Sequence, residues 1–198
     1  MALYPFSALL ARMKYITRWS LMHCARTETL SEHTADTALL AHTLCLVARD
    51  VLGQTGVRPE AVAVAALYHD APEILTGDMP TPVKYKNERL RDAYKTLEAQ
   101  SARAMAQLAP PALRPAMENW LTAGSLSEEE HALLKAADRL SALIKCLEET
   151  QGGNKEFAAA LAQQKKALQG MACPAADYFM DHMLPCYALT LDELTQVR

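Results

Sequence analysis

The sequence predicts an all-α fold, and three observations carry that prediction. No stretch alternates β-branched with polar residues as a half-buried strand would. Ala, Leu, Glu, Lys and Gln, all good helix formers, dominate the long segments. Apolar residues recur at three- and four-residue spacing between Pro and Gly punctuation. At 198 residues, with 51% hydrophobic and 22% charged, the chain fits one domain with a sizeable core.

Taken in order, Ser7 to Ile16 is expected to form a first helix and Arg18 to Leu30 a mostly irregular segment. Ser31 suits an N-cap. Leu39, Leu40, Thr43, Leu44 and Val47 then form an apolar stripe ending near Gly53, with His33 in the first turn. Pro59 fits the first position of the next helix, where a missing N–H costs nothing. The nearly all-apolar run Ala61 to Tyr68 predicts a central helix buried on every side, with His69 and Asp70 at its end. Pro72 clashes with a continuing turn, so the helix stops or kinks there, with Glu73 on the next turn and Gly77 closing it. Thr81-Pro82 predicts a rigid turn, and Asn87 to Leu108 a long helix with Leu90, Tyr94, Leu97 and Met105 inward. Pro110-Pro111 ends it before a shorter helix, Ala112 to Leu121. Ser127 and Glu130 form a capping box opening a helix through Leu133, Leu134, Ala137, Leu140, Ile144 and Leu147, stopped by Gly152-Gly153. Helices over Lys155 to Leu168, Ala175 to Met183 and Leu191 to Gln196 finish the chain, the last capped by Thr190 and Glu193.

The net charge of -3 provides no general basic field for a nucleic acid polymer. The basic stretches Lys84 to Arg91 and Lys165-Lys166 are diluted by neutral and acidic residues and read as solvated helix faces. Cys24, Cys45, Cys146, Cys173 and Cys186 form no CxxC pair, which points to reduced thiols in a cytoplasm. Met1 to Ile16 carries Arg12 and Lys14 and is unlike a signal peptide, and Ala61 to Tyr68 is too short to span a membrane.

The chemistry centres on His69-Asp70, with His33 upstream and Asp138 downstream. Imidazole nitrogens and carboxylate oxygens together suit borderline divalent metals such as Mn, Fe, Co, Ni or Zn. Alone, an adjacent His and Asp is equally a helix-end histidine beside a solvated aspartate. On the apolar stripe, Asp138 is costly to bury unpaired and needs either a metal or a salt bridge to Arg139 or Lys135. Glu73 and Asp78 add two carboxylates near the Pro72 break. An exposed glutamate after Pro72 is the plain alternative for Glu73, and a simple turn for Gly77-Asp78.

Several runs are narrower in meaning: Arg18-Trp19, Arg26-Thr27, Ser31-Glu32-His33, Tyr68-His69-Asp70 with Glu73, Thr76-Gly77-Asp78, Pro80 to Tyr85, and Lys135 to Asp138. Lys145 to Glu149 and Asp177-Tyr178-Phe179 follow later. Together they resemble the HD-domain metal-dependent phosphohydrolases, and within them the bacterial YfbR-like 5'-deoxynucleotidases, over nearly the whole chain. His, His-Asp and Asp in this order are shared across HD proteins. The Arg-Trp pair and the Asp78 to Tyr85 run narrow the match to the subfamily.

The resemblance implies a single HD domain over residues 1–198, with its core at about 28–140 and flanking terminal helices packed on it. It implies one divalent transition metal ion, Co, Mn, or another such as Zn, Fe or Ni, held by His33, His69, Asp70 and Asp138. Two positions of an octahedral ion would remain for water and a phosphate oxygen. His23, His42, His131 and His182 match no further ligand set, so a second metal is not expected. The implied reaction releases phosphate from deoxyribonucleoside 5'-monophosphates, with Arg18 clamping phosphate, Glu73 as general acid or base, and Asp78 either accepting from a sugar hydroxyl or activating water. Substrate would meet Arg18, Trp19, His33, Asp70, Asp78, Met79, Pro80, Thr81 and Asp138, with Trp19 excluding a ribose 2'-hydroxyl. Breadth over bases is expected, since few amides surround these motifs. The resemblance implies a homodimer, for which Tyr178, Phe179, Met180 and Met183 are candidates, although the same residues could complete the monomer core. Two alternatives stand beside this reading: an HD phosphohydrolase acting on a nucleoside triphosphate or signalling nucleotide, and a non-catalytic nucleotide-binding module. Lys84 and Arg26 are the further basic residues a longer phosphate chain would call on.

Overall fold

The computed structural model describes residues 2–196, which are helical with no strand among them. Helix α1 (Phe6–Leu10) passes into tighter turns over Ala11–Tyr15, so the expected single helix is two short pieces. The helix ends because the Ile16 carbonyl is taken elsewhere: it accepts from Leu30 N–H at 2.8 Å, while Arg18 N–H donates to the Glu28 carbonyl at 3.0 Å. These bonds flank an antiparallel bridge between Thr17 and Thr29, closing the irregular segment into a loop with fixed ends.

Helix α2 (Leu30–Leu46) is capped by Thr29, not by the expected Ser31. Thr29 Oγ1 accepts from Glu32 N–H at 3.3 Å and Glu32 Oε2 accepts from Thr29 N–H at 2.7 Å, a reciprocal box that Ser31 cannot make because no acid follows it at the right spacing. His33 therefore lies one turn inside the helix. The inward face is Leu30, His33, Thr37, Ala41 and Leu44, whereas Leu39, placed on the apolar stripe from sequence, is 70% exposed.

Helix α3 (Pro59–Tyr68) starts at proline as expected. Val62, Ala65 and Ala66 are fully buried but Leu67 is 45% exposed, so the helix is not buried on every side. Its small inward residues let the α2 and α3 backbones pack closely. After Pro72 comes a single turn, α4 (Glu73–Thr76), closed by Gly77 at φ 76° and ψ 154°, a conformation essentially restricted to glycine. Thr81-Pro82, expected as a turn, opens the one-turn helix α5 (Thr81–Lys84).

Helix α6 (Glu88–Ala106) is capped by Asn87 and buries Tyr94 and Met105, while Leu97 turns outward. Helix α7 is Arg114–Thr122, and α8 (Glu128–Gln151) opens on the expected box of Ser127 and Glu130. Helices α9 (Ala158–Gln169), α10 (Pro174–His182) and α11 (Leu191–Leu194) close the fold.

Two apolar clusters result. The larger joins α2, α3, α8 and α10 through Leu44, Val62, Leu140, Leu143 and Phe179; the smaller joins Phe6, Met13, Leu30, Met105 and Leu121. Phe179 is buried, with Tyr178, Met180 and Met183 packed against the larger cluster, so these residues complete the monomer core. The ends of α2 and α3 and the middle of α8 meet where the clusters adjoin.

Candidate metal centre and cleft

Four side chains from three helices converge there. One ligand atom each from His33 (α2), His69 and Asp70 (just after α3) and Asp138 (α8) lies within 4.8 Å of the others. His33 Nε2 sits 3.3 Å from Asp70 Oδ2 and 3.2 Å from Asp138 Oδ1, and His69 Nε2 is 3.2 Å from Asp70 Oδ2. None of these approaches is aligned as a hydrogen bond, and both Nε2 atoms are buried without a hydrogen-bond partner among the described residues.

The other ring nitrogens are engaged. His69 Nδ1 lies 2.7 Å from the Ala66 carbonyl, which fixes the proton on Nδ1 and leaves the Nε2 lone pair facing the cluster. His33 Nδ1 meets Ser141 Oγ at 3.1 Å. Asp138 pairs with neither Arg139 nor Lys135 among the described residues; its backbone is in the core stripe and its carboxylate opens to the cleft. Burial alone would raise the Asp70 and Asp138 carboxyls, but the two imidazoles hold both well below the usual range. Burial would lower His33 and His69, and the two carboxylates raise them instead. A divalent cation would satisfy all four groups at once, and two imidazole nitrogens with two carboxylates are a donor set that borderline metals accept.

Over the cluster lies a cleft of about 300 Å³ lined by Arg18, Trp19, Glu73, Asp78, Met79, Pro80 and Thr81 among others, so every residue expected to meet substrate from sequence is at or beside it. Arg18 Nη1 reaches Asp70 Oδ2 at 3.4 Å and its Nε donates to Glu28 Oε2 at 3.0 Å. Burial would depress the guanidinium, yet Asp70 and Glu28 raise it further above its ordinary value. The same Glu28 oxygen accepts from Trp19 Nε1 at 2.8 Å, and the Trp19 ring packs on Phe157 with centroids 5.3 Å apart. Trp19 has φ 61°, a left-handed conformation costing a bulky residue roughly 1–2 kcal/mol, so these two contacts hold it against strain.

The loop carrying Arg18 and Trp19 is tied down at its far side by Glu149. That buried carboxylate accepts from Ala25 N–H at 2.8 Å, Arg26 N–H at 3.2 Å and Asn154 Nδ2 at 2.8 Å, and pairs with Lys145. Arg26 itself points to solvent and pairs with Glu32, away from the cleft.

Glu73 is 5% exposed, not the surface glutamate that its place after Pro72 allows. Burial, then the charges of Asp70 and Asp78, push its carboxyl up to about 9, and Oε2 is buried without a partner among the described residues. Asp78 is raised as well, by burial against the pull of Arg18. Tyr94 holds the turn between the two acids, donating to the Gly77 carbonyl at 2.8 Å and meeting Thr76 Oγ1 at 3.2 Å.

Sequence reasoning missed Glu28, Ser141, Tyr94 and the α9 residues Gln163 and Gln164, which also line the cleft. Glu28 and the glutamines carry no local pattern; only the fold brings them near. Gln163 and Gln164 are the two side-chain amides lining the cleft among the described residues.

The family model described as "5'-deoxynucleotidase YfbR-like" matches residues 5–187. The chain is 42% identical over 191 residues to proteins named 5'-deoxynucleotidase from Erwinia tasmaniensis and 5'-deoxynucleotidase YfbR from Salmonella paratyphi B, covering 96% of each chain in both pairs. An HD-domain phosphohydrolase from Listeria innocua superposes with a TM-score of 0.80 at 23% identity, over 96% of this chain and 94% of that one. The cyanophage S-2L HD phosphohydrolase DatZ, bound to dA and one catalytic zinc ion, superposes with a TM-score of 0.65 at 20% identity, over 93% and 97%. These two likenesses speak to the fold. Sequence, fold and the convergent His and Asp residues agree: the chain belongs to the YfbR-like 5'-deoxynucleotidase family.

Proposed function

We propose that this chain is a metal-dependent 5'-deoxynucleotidase, hydrolysing deoxyribonucleoside 5'-monophosphates to the deoxynucleoside and phosphate. The observation that carries the reading is the convergence of His33, His69, Asp70 and Asp138 at a cleft walled by Arg18, in a chain of this family. Those four residues would hold one divalent ion such as Co, Mn, Zn, Fe or Ni, which neutralises phosphate charge and lowers the pKa of water toward ~7 in favourable sites.

Monoester hydrolysis is among the most demanding reactions, calling for accelerations up to ~10²¹. Arg18 contributes by presenting the guanidinium donors left free by Glu28 and Asp70 to the phosphate oxygens, already oriented by those two bonds. Asp78 accepts a proton from the attacking water as the bond from its oxygen to phosphorus forms. The phosphorus–O5' bond breaks, and Glu73, held protonated by its burial, donates to the departing O5'. Met79, Pro80 and Thr81 exclude water around the sugar. Trp19, pinned by Glu28 and Phe157, stands as a rigid wall where a 2'-hydroxyl would go.

Lys84, Lys135 and Arg139 also line the cleft, which keeps the triphosphate reading in view. Release of orthophosphate, as against pyrophosphate or triphosphate, separates the two. The reading includes a cytoplasmic site, which the five free cysteines suit, and a homodimer that does not use the buried Phe179 side chain. No described helix is long and apolar enough to cross a membrane.

Phosphate release from a panel of deoxy and ribo monophosphates, with Mn, Co, Mg and Zn supplied in turn, tests the function. The expected outcome is orthophosphate from the deoxy substrates and none above background from Asp70→Ala; equal release by that variant refutes the metal assignment. In the same panel Trp19→Ala is expected to raise activity on AMP relative to dAMP by about tenfold, the size of one well-placed steric contact. An unchanged ratio removes Trp19 from sugar selection. For Glu73, the folded carboxyl is raised to about 9 from its ordinary 4.5. Between those values the native state keeps a proton that the unfolded chain has released, so native stability falls as pH rises. In metal-stripped protein, Glu73→Gln is therefore expected to be the more stable form, by a margin in urea unfolding that widens from about pH 5 to about pH 8. A margin that narrows or stays constant contradicts the buried neutral acid.

A further inference from the structure

The loop carrying Arg18 and Trp19 brings two neighbouring side chains onto one atom. Glu28 Oε2 accepts from Arg18 Nε at 3.0 Å and from Trp19 Nε1 at 2.8 Å. In extended backbone, the side chains of adjacent residues point to opposite sides. The left-handed φ of 61° at Trp19 breaks that alternation, and both side chains reach the same carboxylate. Glu28 is itself fixed in place. Its carbonyl accepts from Arg18 N–H at 3.0 Å, the next residue stands in the Thr17–Thr29 bridge, and its side chain is buried. Arg18 also reaches Asp70 at 3.4 Å through Nη1. One run of contacts therefore leads from the metal-ligand cluster through the guanidinium and Glu28 to the indole.

A steric wall rejects a hydroxyl only while wall and substrate both stay where they are. Phosphate held at Arg18 sets where the sugar lies, and the indole sets the room beside it. A 2'-hydroxyl gains space if either one shifts. We propose that Glu28 is a positioning residue that holds the phosphate clamp and the sugar wall at a fixed separation, so that discrimination against ribonucleotides depends on this separation as well as on the bulk of Trp19. The inference rests on the deoxynucleotidase reading and adds to it the residue that makes the wall rigid relative to the clamp. Glu28 acts through Arg18 and Trp19, and its mark is a change in the choice between sugars.

The test measures kcat/KM on dAMP and AMP in two variants that separate the shared oxygen from the charge. Glu28→Asp keeps a carboxylate but withdraws it by one methylene from both nitrogens, whereas Glu28→Gln loses the charge and keeps a carbonyl oxygen that can accept from both. Glu28→Asp is expected to raise activity on AMP relative to dAMP about fivefold, and Glu28→Gln to leave that ratio within about twofold of wild type. In a Trp19→Ala background, where the wall is gone, Glu28→Asp is expected to move the ratio by less than about twofold. Three results overturn the proposal: an unchanged ratio in Glu28→Asp, a Glu28→Gln ratio moved as far as that of Glu28→Asp, or the same shift with and without Trp19. General loosening of the loop lowers activity on both substrates alike, and a role for charge alone makes the glutamine variant the more severe. If Glu28→Asp does not fold, Glu28→Gln still decides, because a ratio moved by more than about twofold overturns the proposal and an unmoved one supports it. Wild-type protein inert on every monophosphate, or indifferent to the 2'-hydroxyl, sinks the reading on which the inference rests. A wild type that prefers dAMP, with a preference that Glu28→Asp leaves intact, sinks the inference alone.

Discussion

The structure turns on one electrostatic constraint: two carboxylates and two imidazoles are held within 4.8 Å of one another at the junction of two apolar clusters. Asp70 and Asp138 resist neutralisation because the imidazoles face them, and the imidazole Nε2 atoms find no hydrogen bond among the described residues. Two buried carboxylates side by side call for positive charge between them, from protonated imidazoles or a bound cation. Asp70 and Asp138 line the cleft, which gives an ion a way in. Arg18, which reaches Asp70 from that side, is the one cationic side chain paired with the cluster among the described residues.

Around this centre the fold trades regularity for placement. Arg18 and Trp19 sit on a loop with little helix of its own, yet its ends are zipped by the Thr17–Thr29 bridge and its far side is bound to the buried Glu149. Glu28 then holds both Arg18 and Trp19 through a single oxygen. The strained φ of Trp19 is the local cost of aiming a large ring into the cleft, and the Glu28 and Phe157 contacts offset it. Across the cleft, Gly77 allows the sharp turn that separates Glu73 from Asp78, and Tyr94 fastens it. Both acids are buried against the cleft and both carboxyls are raised by that burial, Glu73 to about 9.

Much of this was legible in the sequence for stated reasons. Pro59, Pro72, Gly77 and the Ser127–Glu130 box mark ends of elements through backbone chemistry that does not depend on the rest of the fold. The ligand quartet was legible as a set of residue types that a metal accepts. What escaped depended on tertiary arrangement. Leu39 and Leu97 lie on helices whose apolar stripe runs past them, so spacing alone turned them inward. Ser31 masked Thr29 as a cap, although the acid three residues after Thr29 was the deciding signal. Glu28, Tyr94 and Gln164 have no neighbours in sequence that mark them; each matters only because a distant element arrives beside it.

The central claim is that His33, His69, Asp70 and Asp138 form one metal site. Cobalt(II) titrated into metal-stripped protein and followed by its visible absorption tests that claim without any assay of activity. One equivalent of ion per chain is expected, with the band lost in His33→Ala and in His69→Ala. Saturation at two equivalents, or an undiminished band in either variant, would contradict the account.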